Sequence, residues 1–182
     1  MRISVYIDNS NVFKNLKKVR DIDRTWIQLY DPLELAKAVV GNRQLEKVYF
    51  YCVPPPPWLL AEGPESKKKH AMAMRYYAAV GKLSNVEVKY GYLQGDKSAP
   101  LEKNVDTQIS SDMVVHAALG HYDTAILISN DGDYTSALNN VKLLGKRIEV
   151  VFFKGYFSGS LRNASDLIRK ARRSFFKPII LN

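Results

Sequence analysis

The sequence predicts an α/β protein, a three-layer α/β/α sandwich built on a mostly parallel sheet. Three observations carry that reading. Apolar runs of strand length alternate with stretches of helical period along the chain. The runs Val48–Val53 and Ala125–Ile128 are continuously apolar, as strands covered on both faces of a parallel sheet are. Two strands stop abruptly at acids: Asp8 after the first, and Asp131-Gly132-Asp133 after the fourth. Open α/β sheets hold their ligands at the carboxyl ends of their strands.

The elements follow in order. Arg2–Ile7 is β-rich and ends at Asp8-Asn9-Ser10-Asn11, where turn and cap formers start a helix carrying Val12, Phe13 and Leu16. Residues 20–28 show no period and read as loop or short helix. Asp31-Pro32 opens a helix, with Asp as N-cap and Pro at the first position, and Gly41-Asn42 stops it. Lys47–Val53 is the second strand, ended by four prolines. The Pro54–Pro64 excursion reads as a polyproline-type surface loop, with Trp58 packed down or free to stack. Glu65–Lys82 is a helix, although Lys67, Lys68 and Lys69 at its start oppose the macrodipole and hint at a binding role. Val86–Leu93 reads as the third strand, and residues 95–100 as a polar loop. Val105–Leu119 is a helix, Asp123–Ser129 the fourth strand, and Asp133–Leu144 a helix stopped by Gly145. Arg147–Phe153 is the fifth strand and Ser158–Lys170 a helix, and the tail from Phe175 to Ile180 suggests a short edge strand.

Composition narrows the function. A chain of 182 residues suits one domain over 1–182, with a core at about 3–171, and 46% hydrophobic residues argue against disorder. A net charge of +9 suits a polyanionic partner. Cys52 is the single cysteine, which excludes an internal disulfide and fits a reducing, cytoplasmic setting. His70, His116 and His121 lack metal-ligand spacing, and the N-terminal apolar run Ile3–Ile7 is far too short for a signal peptide or membrane span. No membrane partner is therefore expected.

The acids carry the chemistry. If the first and fourth strands are neighbours, Asp8 and Asp131 lie side by side, with Asp106 at the start of the helix leading into the fourth strand. Clustered carboxylates need a cation or a proton, and hard oxygen donors suit Mg²⁺ or Mn²⁺. Each acid has a plainer role open to it. Asp133 caps the following helix, Asp106 is an N-cap, and Asp112 points away from Asp106 or reaches the metal through water. Asp8 has the least structural need for its charge. Asn11 holds the Asp8 carboxylate, contacts a phosphate, or completes the helix start. Lys14, Lys17, Lys18, Arg20, Arg24, Lys67–Lys69, Arg75 and Lys103 are the cations available to ring the pocket, and Trp58, Tyr76 and Tyr77 the rings available to stack on bases.

Ile7-Asp8-Asn9-Ser10-Asn11, Lys103-Asn104-Val105-Asp106 with Asp112, and Ser129-Asn130-Asp131-Gly132-Asp133-Tyr134 together resemble the NYN domain family of PIN-like nucleases, in its LabA/DUF88 branch. The resemblance runs from about Ile3 to Asp166. It implies a PIN-like fold with strand order 3-2-1-4-5 and metal-dependent ribonuclease chemistry on single-stranded RNA. Asp8, Asp106, Asp131 and Asp133 are then the catalytic acids around Mg²⁺ or Mn²⁺, with Asp112 as a further metal-site acid. Asn11, Ser129 and Lys103 are the expected substrate contacts. Two positions depart from the family, which often has Gly where this chain has Asn104 and Asn130; Asn tolerates a left-handed backbone. A homodimer is an open possibility. The competing readings are a non-catalytic RNA- or protein-binding module of the same fold, and a phosphatase with Asp8 as nucleophile. Ser10 stands where the phosphatase's second acid belongs.

Overall fold

The computed structural model describes residues 1–16, 29–95, 97–98, 100–153 and 157–179. The loop expected over 20–28, the cations Lys17, Lys18, Arg20 and Arg24, and Ile180 lie outside the described residues.

The strands are β1 (Arg2–Asp8), β2 (Gln44–Cys52), β3 (Val86–Tyr90), β4 (Tyr92–Gln94), β5 (Leu101–Lys103), β6 (Thr124–Ile128), β7 (Arg147–Phe152) and β8 (Leu167–Lys170). The helices are α1 (Asn9–Leu16), α2 (Pro32–Val40), α3 (Pro64–Gly81), α4 (Val105–Ala118), α5 (Thr135–Leu143) and α6 (Gly159–Ala164). Six strands form one parallel sheet in the order β3-β2-β1-β6-β7-β8. Its first five strands run in the order expected.

Strand alternation divides the core in two. Ile3, Val5 and Ile7 of β1 point to one face, where Val12 of α1, Leu35 and Val39 of α2 and Val80 of α3 cover them. Tyr6 points to the other, with Ile109 and Met113 of α4, Leu138 of α5 and Leu161 of α6. Helices on both faces explain why β1 is buried along Ile3–Asp8. Local signals set the helix ends. Asp31 accepts hydrogen bonds from the Leu33 and Glu34 amides at 2.8 and 3.1 Å, as the N-cap expectation requires. His116 is structural: it stacks on Tyr49 at 4.6 Å and pairs with the Tyr6 hydroxyl at 2.9 Å.

Four expectations need correction. The third strand ends at Tyr90, because Gly91 is pressed against its neighbours: a Cβ there would lie 2.6 Å from Val105 Cγ2 and 2.7 Å from the Lys103 carbonyl. Tyr92–Gln94 then leaves the sheet and pairs antiparallel with Leu101–Lys103, the two short strands that flank the expected polar loop. The helix expected over Ser158–Lys170 stops at Ala164; Leu167–Lys170 joins β7 as a sixth parallel strand, and Ala171 N–H bonds to Phe152 O. The tail makes one isolated bridge, Tyr30 to Pro178, in place of an edge strand. In the proline excursion, Pro57–Ala61 forms a 3₁₀ turn packed on α3, with Trp58 half-buried. Among the described residues no helix is long and apolar enough to cross a membrane.

Candidate metal centre

The carboxyl ends of β1 and β6 meet at the site. β1 and β6 pair in register with Ile7 beside Ile128, so the next residues, Asp8 and Ser129, adjoin. The Ser129 hydroxyl donates to Asp8 Oδ2 at 3.1 Å and accepts the Asp131 amide at 3.2 Å. Asp8 Oδ1 accepts the Asn11 amide at 3.0 Å, the bond of an N-cap to a helix start. Asn11 thus holds the Asp8 carboxylate, through its backbone amide, and Asp8 has a structural task as well. Its second oxygen also accepts from the Tyr134 hydroxyl at 3.0 Å, and that hydroxyl lies 2.7 Å from Asp106 Oδ1. A phenol has one proton, so Tyr134 shares it between two carboxylates and holds them in place. Sequence reasoning missed this role, because Tyr134 sits at helical spacing with Ala137, Leu138 and Val141 and is wholly buried with them.

Asp106, Asp131 and Asp133 form the open part of the site: each offers an oxygen within 4.8 Å of the others. Asp131 accepts the Asp133 amide at 3.1 Å and so caps the 3₁₀ turn Gly132–Tyr134 that precedes α5. The expected capping role of Asp133 thus falls to Asp131, which leaves the Asp133 carboxylate to the cluster. Asn104, left-handed at φ 73°, is the N-cap of α4, and Asp106 lies in its first turn. Asn104 meets the backbone demand for which a glycine also serves. Asn130 is not left-handed; its side chain bonds both ways to the Phe153 backbone and ties the ends of β6 and β7 together.

The remaining candidates are placed as follows. Asp112 lies on α4 outside the cluster, accepting from the Tyr51 hydroxyl at 2.8 Å and facing Lys89 Nζ at 3.3 Å. Asn11 Oδ1 accepts the Asn130 amide at 3.0 Å, and Ser129 is wholly buried, so both side chains meet structural partners first. Lys103 is exposed and lines a cleft of about 640 Å³, together with Lys14, Asp8, Asp106 and Asp131. Lys67–Lys69 and Arg75 lie on α3 and do not line it. Tyr76 is only 3% exposed and donates to the Tyr30 carbonyl, which removes it as a stacking platform.

Electrostatics separates the acids. Burial pushes Asp8 from 3.8 up to about 6, and the Asp106 charge adds to the rise, against the Asn11 amide and the Tyr134 and Ser129 hydroxyls. Among the described residues no Lys or Arg forms an ion pair with Asp106, Asp131 or Asp133. Three clustered carboxylates, offering hard oxygen donors, fit a divalent cation.

The NYN domain profile matches residues 2–170. The chain belongs to the NYN domain family. NYN domains are PIN-like nucleases by fold and family, and the acidic centre lies where strand order reverses between β1 and β6. A crystal structure of a protein of unknown function from Vibrio parahaemolyticus is similar in fold, with a TM-score of 0.66 at 18% identity over 97% of this chain and 96% of the other. No curated protein matches this NYN domain.

Close packing accounts for Gly132. Its backbone is not left-handed, but a Cβ would lie 2.7 Å from Ser158 Oγ and 3.0 Å from Ser158 Cβ. Gly132→Ala is expected to push the Asp131–Asp133 turn off the Ser158 segment. Overpacking of this kind costs about 1–2 kcal/mol, a fall in melting temperature of roughly 2–8 °C. Thermal unfolding measures it, and calorimetric Mn²⁺ titration should show weaker binding.

Proposed function

We propose that this chain is a divalent-metal-dependent ribonuclease that cleaves phosphodiester bonds of single-stranded RNA with Mg²⁺ or Mn²⁺. The observation that supports it is the convergence of Asp106, Asp131 and Asp133 within 4.8 Å, with Asp106 and Asp131 lining a cleft that Lys14 and Lys103 also line. Asp106, Asp131 and Asp133 hold the metal. When bound, the cation supplies Lewis-acid polarisation of a phosphoryl oxygen and activation of the attacking water. Asp8 is buried in the same cleft wall, its position secured by Asn11, Ser129 and Tyr134. Lys103 and Lys14 draw the RNA backbone toward acids that would otherwise repel it. The cleft's cations and the chain's +9 charge make RNA the partner that this reading requires.

The test is cleavage of a labelled single-stranded RNA with Mg²⁺, with Mn²⁺ and with EDTA, by the native chain and by Asp106→Asn and Asp131→Asn. Metal-dependent cleavage that falls at least ~100-fold in both variants is expected. Equal rates in native protein and variants would sink the proposal. RNA binding without calorimetric Mg²⁺ or Mn²⁺ binding would identify a non-catalytic module instead.

A further inference from the structure

A second hollow, of about 200 Å³, adjoins the acidic cleft between α1 and α3. Ser10 and Phe13 form one side, and Met72, Ala73 and Tyr77 the other. Ser10 lines both spaces, and its hydroxyl donates to Glu102 of the β4–β5 hairpin at 2.7 Å. The metal cleft and the hollow thus share Ser10 in their walls. The volume is below the roughly 300–1,000 Å³ of sites for drug-sized ligands and suits a single ring system.

Its lining has the chemistry of a base-stacking site. The half-buried Tyr77 donates its hydroxyl to the Val53 carbonyl at 3.3 Å, which fixes its ring, and Tyr90 meets it edge-on at 6.3 Å. Met72 is 40% exposed and gives the hollow a soft, polarisable rim. Lys68 and Lys69 precede Met72 and Ala73 by four residues on α3 and share their side of the helix. These exposed lysines do not line the metal cleft.

We infer that the Phe13–Met72–Ala73–Tyr77 hollow is a nucleobase subsite, which holds the base of a nucleotide next to the scissile phosphate while Lys68 and Lys69 contact its backbone. This rests on the ribonuclease reading for the identity of the ligand. The aromatic, sulfur-rimmed walls take any base by its face, and Ser10 lies at the rim toward the metal. Single-stranded RNA fits such a site because its bases can be splayed out of the stack.

The experiment uses fluorescence anisotropy with a labelled RNA octamer in EDTA, where no cleavage occurs, and a set of octamers in which one abasic residue is walked along the strand. For the native chain one abasic position should weaken binding about tenfold or more, the scale of one lost base stack. Ala73→Leu fills the hollow with a good helix former and should bind the intact octamer about tenfold more weakly, with no response to that abasic position. Met72→Ala, a truncation at an exposed rim, should give a smaller loss of the same kind and keeps the test sound if Ala73→Leu unfolds. Binding by both variants at native strength, or an abasic walk with no sensitive position, overturns the subsite. Cleavage of intact RNA in Mn²⁺ is scored separately. Cleavage without a sensitive position leaves the nuclease standing and removes the subsite. A sensitive position lost in Ala73→Leu without any cleavage keeps the subsite and removes the nuclease.

Discussion

Asp8→Asn is expected to stabilise the metal-free protein while disabling it. Asp8 is 4% exposed, and burial raises its pKa to about 6 from 3.8. The direction follows from linkage. A carboxyl whose folded pKa lies above its unfolded value contributes stability that is complete below the unfolded pKa and is lost as the pH rises through the folded one. Here the window runs from about 3.8 to about 6. The difference amounts to about 3 kcal/mol at neutral pH, an upper figure for one buried group. Asn removes the charge and keeps an oxygen for the Asn11 amide. The melting temperature at pH 7.5 should therefore rise by roughly 3–10 °C, and the gain should vanish near pH 4, where native Asp8 is already protonated. Cleavage in Mn²⁺ should fall ~10–100-fold, because Asp8 steadies Asp106 through Tyr134. Thermal melts at the two pH values and initial cleavage rates check both halves. A variant less stable than native at pH 7.5 would show that the capping bond outweighs the buried charge.

Glu149→Gln is expected to give the largest loss of stability. Glu149 is 2% exposed in β7 and meets the guanidinium groups of Arg43, at 2.5 Å, and Arg169. Burial alone would raise its pKa, yet those two cations hold it below the ordinary value. The same arginines donate to the Val39 and Val40 carbonyls at the end of α2. One carboxylate thus joins α2, β7 and β8. Removing one partner of a buried ion pair typically costs 3–5 kcal/mol. The arginines are 26% and 30% exposed, and water can solvate them in part, so about 2–3 kcal/mol is the expectation here. That lowers the melting temperature by roughly 4–12 °C. The depressed pKa sets the pH dependence: the contribution is present above the unfolded pKa and fades as the pH falls through the folded one. Mn²⁺ affinity should not change, because Glu149 does not line the cleft. A melting point within a degree of native would mean that the two arginines find other partners.

Both residues show where sequence reading stops. The Asp131-Gly132-Asp133 acids were legible because they interrupt an apolar strand, and an acid at the carboxyl end of a buried strand marks the place where α/β sheets bind ligands. The purpose of Gly132 was not legible, since the atom it avoids belongs to Ser158, far along the chain. Tyr134 reads as core by its spacing and is core by its burial, yet its hydroxyl serves two acids. Tyr134 and Asp8 stand 126 residues apart, and no local pattern encodes such a pair. Leu167–Lys170 looks helical because Leu161, Ala164, Leu167 and Ile168 keep helical spacing, but pairing with β7 overrides that period.

By itself the sequence determined the alternation of strands and helices, the order of the first five strands through the family's motifs, and the acids Asp8, Asp106 and Asp131. These depend on periodicity and on polar residues placed where apolar runs end, and both are local properties of the chain. Only the tertiary structure decided which acids converge in the open and which are buried or turned elsewhere. Asp106, Asp131 and Asp133 gather within 4.8 Å of one another, Asp8 is buried against Ser129 and Tyr134, and Asp112 is turned toward Tyr51 and Lys89. The reason is physical: a carboxylate's role follows from its solvation and its hydrogen-bond donors, and those come from strands and helices brought together by the register of the sheet.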